Sequence, residues 1–335
     1  MADRAGRPAR PGADWARNHG RYVLARRWSG LGDCLVSLLA AHRYAKATGR
    51  ALVVDWRHSS YAPPERNLFA LVFEPPGVWD GVPVLADDRV ADFAHAGPCW
   101  PPVWNTIGLD AAPDQGERGD ARAAAALVES GVDVAEPVVV FDGCIAPQAP
   151  PADVARRRLL ALRVRETFAA SVADFRAARF AGRPVVGVHV RHGNGGVIGD
   201  HARWWINPGA AMLAISDTIR AAVDELRGRC EGPAVVFVAT DSAEIEATLR
   251  QLVPGMITRA KAFRPAGAGE LHRWAGSAGG LHDAMVEMLL LAEVDVLLRY
   301  PPGSYYSYWG ATMGHGTTLA PPAPVPGSVP RPGWH

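Results

Sequence analysis

What this 335-residue chain lacks narrows its function first. No stretch reaches the roughly 18 uninterrupted apolar residues of a membrane-spanning helix. The best candidate, Met285 to Leu298, is broken by Glu287, Glu293 and Asp295. The opening residues, MADRAGRPARPGADWARNHG, contain no apolar core of signal-peptide length. Net charge is almost absent: 35 basic against 34 acidic residues leave +1. That balance gives no global field to draw nucleic acid or an anionic membrane. The four cysteines, Cys34, Cys99, Cys144 and Cys230, lie far apart with no Cys-x-x-Cys pair. We therefore expect reduced thiols and a cytoplasmic protein, not a disulfide framework or a zinc site. The dinucleotide fingerprint G-x-G-x-x-G is missing, which argues against an NAD-linked oxidoreductase, and so is the lysine of a P-loop. No His, Asp or Glu cluster has metal-ligand spacing. Asp87-Asp88 comes nearest to an acidic metal motif but stands in the first half of the chain, so no metal and no other cofactor is expected.

What is present is a globular composition, with 48% hydrophobic residues and a mean hydropathy of −0.02. So long a chain exceeds one ordinary core, and two domains are expected. Residues 1–18 are rich in Arg, Pro, Gly and Ala and are expected to lack order. The stretch from Ala320, APPAPVPGSVPRPGWH, carries six prolines and suits a polyproline-like tail. Between the tails, apolar strand-like runs alternate with helical stretches. In the first half, Tyr22–Ala25 leads through Gly30-Leu31-Gly32-Asp33 into a helix closed by Gly49, followed by a strand over residues 51–55 and another near 137–141. Residues 75–113 read mostly as loops with short strands, and 151–180 as one or two helices. In the second half, strands are expected at 185–190, 234–239 and 294–298, with helices over 208–229, from 242 to 252 and over 282–292. The pattern predicts an α/β protein of parallel sheets covered on both faces, with an N-terminal Rossmann-like domain over 19–180 and a C-terminal one over 181–319.

In open α/β sheets, ligands bind beyond the carboxyl ends of the strands. In the second half those positions hold HVRHGNGG, ATDS and RYPPGS. They offer a fixed cation, a carboxylate, hydroxyls and glycine-permitted backbone, the parts that a phosphorylated ligand needs. Arg191 can clamp phosphate oxygens with two parallel N–H bonds. Ser304 can cap a following helix whose free amides face a phosphate. Asp241 can accept from the N1–H and N2–H2 pair of guanine, although a T-D-S segment before a helix is also an ordinary cap. The Gly30–Gly32 turn lets backbone approach a ligand closely, or is simply a tight strand-to-helix turn. Trp56, Trp100, Trp104, Trp204, Trp205 and Trp309 offer flat surfaces for sugar rings. Most should be packing residues, and Trp204-Trp205 stand nearest the site segment.

Several stretches, in order, resemble one family: GLGDCLVSLLAAHRYAKATGRALVVDWRHSSY, GVPVLADDRV, VGVHVRHGNGG, DHARWW, ATDSA, FRPAGAGELH and RYPPGSYYSY. They are similar to the NodZ-like α1,6-fucosyltransferases, the bacterial branch of glycosyltransferase family 23, from about Arg21 to about Met313. The resemblance implies a GT-B fold, two Rossmann-like domains facing across a cleft, with GDP-β-L-fucose as donor and inversion at the anomeric carbon. It also implies metal independence and an oligosaccharide or glycoconjugate acceptor, receiving fucose on O6 of an N-acetylglucosamine. By it, Arg191 neutralises the diphosphate, His189 lies against the nucleoside, Asp241 binds guanine, and Ser304 and Tyr305 sit by the β-phosphate. His192, Asn194, Thr240, Gly30 and Gly32 complete the nucleotide-sugar set. The animal members carry a second arginine where this chain has His192, and acidic and lysine residues where it has Gly193-Asn194-Gly195. The bacterial branch shares the His-Gly-Asn-Gly version. That version leaves the general base unassigned, with Asp200 and His201, in the matching Asp-His pair, as the nearest candidates. The bacterial branch's acidic residue before that pair is replaced here by Gly196-Val197, which bears on acceptor contacts more than on donor contacts. Two other readings remain: transfer of another GDP-sugar to a secondary metabolite, and a non-catalytic GDP-sugar-binding protein.

Overall fold

The structure, a computed structural model, describes residues 15, 18–27, 30–59, 61–92, 97–109, 121–142, 151–193, 205, 207–265 and 278–321. Both expected tails fall largely outside these residues, as do Asn194, Asp200, His201 and Trp204. The chain forms two compact units, Met1–Arg165 and Glu166–His335.

In the first unit, strands β1 (Tyr22–Ala25), β2 (Ala51–Val54), β3 (Val78–Trp79), β4 (Val82–Leu85), β5 (Cys99–Trp100) and β6 (Val138–Phe141) form one sheet in the order β3-β4-β2-β1-β6-β5. All its pairings are parallel except β3 with β4. Every residue of β1, β2 and β6 is buried, as a central strand covered on both faces requires. The helices are α1 (Leu31–Thr48), α2 (Leu68–Val72), α3 (Val103–Ile107), α4 (Ala121–Ser130) and α5 (Ala152–Leu160). Helix α1 ends where expected. Gly49 adopts φ 67°, and its N–H reaches the Ala45 carbonyl. Arg50 follows at once, its side chain only 1% exposed. It bonds Asp133 and the carbonyls of Val134, Glu136 and Pro137, tying the approach to β6 to the amino end of β2.

In the second unit, β7 (Val185–Val190), β8 (Val235–Thr240), β9 (Val296–Tyr300) and β10 (Thr317–Leu319) form a parallel sheet ordered β10-β9-β7-β8. Its helices are α6 (Glu166–Phe175), α7 (Pro208–Arg229), α8 (Ala243–Leu252), α9 (Ala278–Leu290) and α10 (Tyr308–Met313). Val186, Val188 and Val190 of β7 pack with Ile215 and Ile219 of α7, Ile245 of α8 and Leu298 of β9. At Gly187, a Cβ would stand 2.7 Å from a methyl of Val294, so this strand position needs the missing side chain.

Two boundaries differ from those expected. The units divide at Arg165/Glu166, not at residue 180, because α6 packs on α9 and Phe175 and Phe180 meet Phe237 of β8 edge to face. Strand β9 runs two residues further than expected, to Tyr300, so Arg299 lies within it. Backbone pairing to β7 continues until Pro301, which has no N–H for the ladder.

Candidate functional site

The carboxyl ends of β7, β8 and β9 bring most of the second-half candidates together. In the β7–β8 and β7–β9 registers, Val190 stands beside Thr240 and Tyr300, and His189 beside Ala239 and Arg299. The next residue, Arg191, leaves the strand. Its N–H donates to the Tyr300 carbonyl at 2.8 Å, and its own carbonyl accepts from the Trp205 indole at 3.2 Å. The Arg191 guanidinium forms an ion pair with Asp241, with 18% of the arginine side chain exposed.

Asp241 is more committed than a free acceptor for a base. Its Oδ1 accepts from the His192 N–H at 2.8 Å, and its Oδ2 from the Gly193 N–H at 2.9 Å as well as facing Arg191. Gly193 adopts φ 79°, a left-handed turn that lets two successive amides reach one carboxylate. With about four lone-pair sites on a carboxylate, three are taken. Cap and carboxylate roles are split between neighbours: Ser242 caps α8, accepting from the Ile245 N–H at 3.4 Å. Thr240 is buried, and its hydroxyl accepts from the Ser242 N–H at 3.3 Å.

His189 is buried with its ring stacked on Tyr306, centroids 4.9 Å apart. The Tyr306 hydroxyl donates to the Ala284 carbonyl of α9 at 2.5 Å. His192 packs edge-on to Trp205, and burial beside Arg191 lowers its pKa below the ordinary histidine value. Trp205 is itself buried against Tyr300, so it supports the Arg191 strand end instead of presenting a sugar platform. Trp56, Trp104 and Trp309 are buried likewise.

The turn after β9 departs from expectation. Ser304 is not the cap of the next helix: α10 begins four residues later with Ser307 at its N-cap position, and it is only six residues long. The Pro301-Pro302-Gly303 turn uses up the intervening chain, with the Ser304 N–H returning to the Pro301 carbonyl at 3.1 Å. Ser304 is buried, and its carbonyl accepts from Arg299 Nη2 at 2.7 Å. Tyr305 is half-buried beside it, and its carbonyl accepts from the Tyr308 N–H at 3.0 Å. Sequence reasoning passed over Arg299, Tyr306 and Ser307. The signal for Arg299 was available: a strand that stops only at its following proline includes it.

Gly30 and Gly32 belong to the first unit, at the amino end of α1, whereas the strand ends described above belong to the second. The expected turn is shorter than its four residues, because the helix starts at Leu31 and Gly32 lies inside it. A Cβ at Gly30 would meet only Asp33, at 3.6 Å. Among the described residues no group of three His, Cys, Asp or Glu stands ready to hold a metal ion, and no helix is long and apolar enough to cross a membrane. Cys34, Cys99 and Cys230 are free thiols; Cys144 lies outside the described residues.

Comparison with known proteins adds identity to this geometry. The family described as Nodulation protein Z (NodZ) matches residues 19–316. The chain is 36% identical over 293 residues to Nodulation protein Z of Sinorhizobium fredii, spanning 86% of this chain and 89% of that one. Among solved structures it is similar to NodZ alpha-1,6-fucosyltransferase co-crystallized with GDP, at a TM-score of 0.71 and 29% identity over 88% of this chain and 92% of that one. The same enzyme soaked with GDP-fucose gives 0.69 at 28% identity, over the same shares of the two chains. The two Rossmann-like units are those of a GT-B glycosyltransferase fold.

Proposed function

The chain belongs to the NodZ family, and on that premise we propose that it transfers L-fucose from GDP-β-L-fucose to O6 of an N-acetylglucosamine, forming an α1,6 linkage. Fucosyl transfer from GDP-fucose is a glycosyltransferase activity, and the similar NodZ structures were obtained with GDP and with GDP-fucose.

The observation that carries it is Arg191 at the tip of the central strand, held by Asp241 at the edge where ligands of α/β sheets bind. In the reaction, the acceptor oxygen forms a bond to the anomeric carbon, and the bond from that carbon to the β-phosphate oxygen breaks. The electron pair leaves with GDP. Charge grows on the diphosphate as the bond lengthens, and a planar guanidinium beside it stabilises that charge more in the transition state than in the ground state. The acceptor proton goes to a base, for which Asp200 or His201 is proposed. His189 and Tyr306 offer a flat, rigid wall for the nucleoside, while Ser304 and Tyr305 belong on the β-phosphate side. Guanine would need Asp241 to release one partner. Arg191 turning from Asp241 to the diphosphate would free that lone pair, so donor binding and exchange of the ion pair are one event. His192 and Thr240 stand at the same strand ends, and Asn194, Gly30 and Gly32 complete the proposed nucleotide-sugar set. The proposal needs no metal, since the guanidinium supplies the charge. A cytoplasmic location accords with the free thiols and with GDP-fucose as donor.

A mass-spectrometric screen of chitin oligosaccharides and glycoconjugates with GDP-fucose tests the reading. The expected product carries one added deoxyhexose at O6 of N-acetylglucosamine. Absence of GDP binding by calorimetry, together with no transfer to any acceptor, would overturn it.

A further inference from the structure

Strand β9 carries near its end a guanidinium that no carboxylate neutralises among the described residues. Arg299 stands opposite His189 in the register, so both side chains leave the same face of the sheet. Arg299 Nε donates to Ser307 Oγ at 2.8 Å, and Nη2 donates to the Ser304 carbonyl at 2.7 Å. Ser307 Oγ, completely buried, donates in turn to that same carbonyl at 3.2 Å. Burial pulls the Arg299 pKa below the ordinary arginine value, with the nearby Tyr308 phenol opposing it. A neutral amide could make similar hydrogen bonds to a hydroxyl and a carbonyl without the cost of removing a charge from water. Retaining a cation here makes sense if an anion arrives at this edge.

The same contacts fix the direction of the backbone in the turn. Both Arg299 and Ser307 hold the Ser304 carbonyl toward the strand. Because the peptide unit is planar and trans, the Tyr305 N–H then points the opposite way, outward from Arg299. Thus Arg299 and Ser307 together set the direction of the peptide plane that precedes Tyr305 and Tyr306, the latter being the ring against His189.

We propose that Arg299 is a positioning residue for the donor: through Ser307 and the Ser304 carbonyl it fixes residues 304–307, and its positive charge, which no carboxylate among the described residues answers, favours the diphosphate. This inference rests on the GDP-fucose reading and goes beyond it by assigning the order and polarity of the phosphate-side turn to a residue within β9.

The test is equilibrium binding of GDP and of guanosine, with fucosyl-transfer kinetics, for the wild-type chain and for Arg299→Gln, Arg299→Lys and Ser307→Ala. Arg299→Gln should lose about thirtyfold in GDP affinity and less than about threefold in guanosine affinity, since only GDP carries the charge being favoured. Arg299→Lys keeps the charge without the fork and should recover part of the loss, to within about fivefold of wild type. Ser307→Ala removes the acceptor of Arg299 Nε and one of the two donors to the Ser304 carbonyl while leaving the charge in place, and should lose about threefold. In turnover, the Gln variant should lose more in kcat than in KM, because the charge matters most as the diphosphate leaves. Equal losses for GDP and guanosine would mean a merely structural role, and wild-type GDP affinity in Arg299→Gln would remove the role altogether; either overturns the inference. Should Arg299→Gln fail to fold, full GDP affinity in both Arg299→Lys and Ser307→Ala overturns it equally. A wild-type chain with no affinity for GDP would instead bring down the donor reading, and this inference with it.

Discussion

Each unit holds an arginine against backbone carbonyls, fully buried at Arg50 and partly buried at Arg299, and the two differ in where they stand and what answers their charge. Arg50 lies at the amino end of β2, with Asp133 as counter-ion and three carbonyls taking its other donors. Arg299 lies near the carboxyl end of β9, and its partners are a hydroxyl and one carbonyl. The first is a closed account of donors and acceptors whose purpose is to hold the segment around 133–137. The second leaves a charge that no carboxylate among the described residues answers, at the edge where α/β sheets bind ligands. The residue type is the same; sheet end and counter-charge separate a staple from a ligand-side group.

The comparison is most forcefully tested at Arg50. Arg50→Ala takes the Glu136 carbonyl's donor, leaves Asp133 and the Val134 carbonyl to Arg21 and the Pro137 carbonyl to the Tyr22 N–H, and empties the space of a fully buried side chain. It should cost about 3–4 kcal/mol in denaturant unfolding. GDP affinity of the folded fraction should stay as in wild type. A tenfold loss of GDP affinity in folded Arg50→Ala would erase the distinction between the two ends.

A second buried cationic-type group in the first unit sharpens the contrast through pH. His42 of α1 is buried, with Nε2 3.0 Å from the Trp79 carbonyl, and burial holds its pKa at about 4 instead of 6.5. Arg158 and Lys46 push in the same direction, while the Trp79 carbonyl and Asp80 oppose it. The unfolded chain therefore takes up a proton here before the folded one does. His42 contributes stability that is fully present above pH 6.5 and is lost as pH falls toward 4, on the order of 3 kcal/mol in all. Unfolding free energies measured across that window should fall in wild type and flatten in His42→Gln. An unchanged slope in the variant would show that other groups carry it.

Arg191 is the intermediate case, paired with a carboxylate like Arg50 but placed at the ligand edge like Arg299. If sheet end decides the role, Arg191→Lys should lose about a hundredfold in fucosyl transfer with little change in melting temperature, since lysine lacks the planar fork. A large fall in melting temperature with wild-type turnover in the remaining folded protein would class Arg191 with Arg50. The smallest effect belongs to the packing beneath the site. Gly187→Ala should cost about 1–3 kcal/mol from the clash with Val294. Val294→Ala in the same chain should recover part of it, as measured by a double-mutant cycle in denaturant.

Much of the fold was legible from local signals. The apolar runs of β1 and β7, the Gly49 cap and the extent of α7 follow from residue type and spacing along a few turns of chain. Arg191 and Asp241 were legible as residues that follow apolar runs. Their mutual pairing was not, because it joins positions on two strands and depends on a left-handed turn at Gly193. The boundary after Arg165 was missed for a related reason: a helix carries no mark of which sheet its aromatic neighbours will meet. Trp205 stands next to the site segment in sequence, but exposure is not a property of the residue alone, and tertiary packing buries its ring against Tyr300.

By itself the sequence determined the α/β alternation, the chemistry available at the strand ends and the family to which the chain belongs, since these depend on residue identity and short-range order. Only the tertiary structure decided that Asp241 braces the loop bearing Arg191 and that Arg299 reaches Ser307 and the Ser304 carbonyl. The reason is register: pairing of β9 with β7 through Tyr300 sets which face Arg299 leaves from, and that pairing is a property of two distant segments brought together.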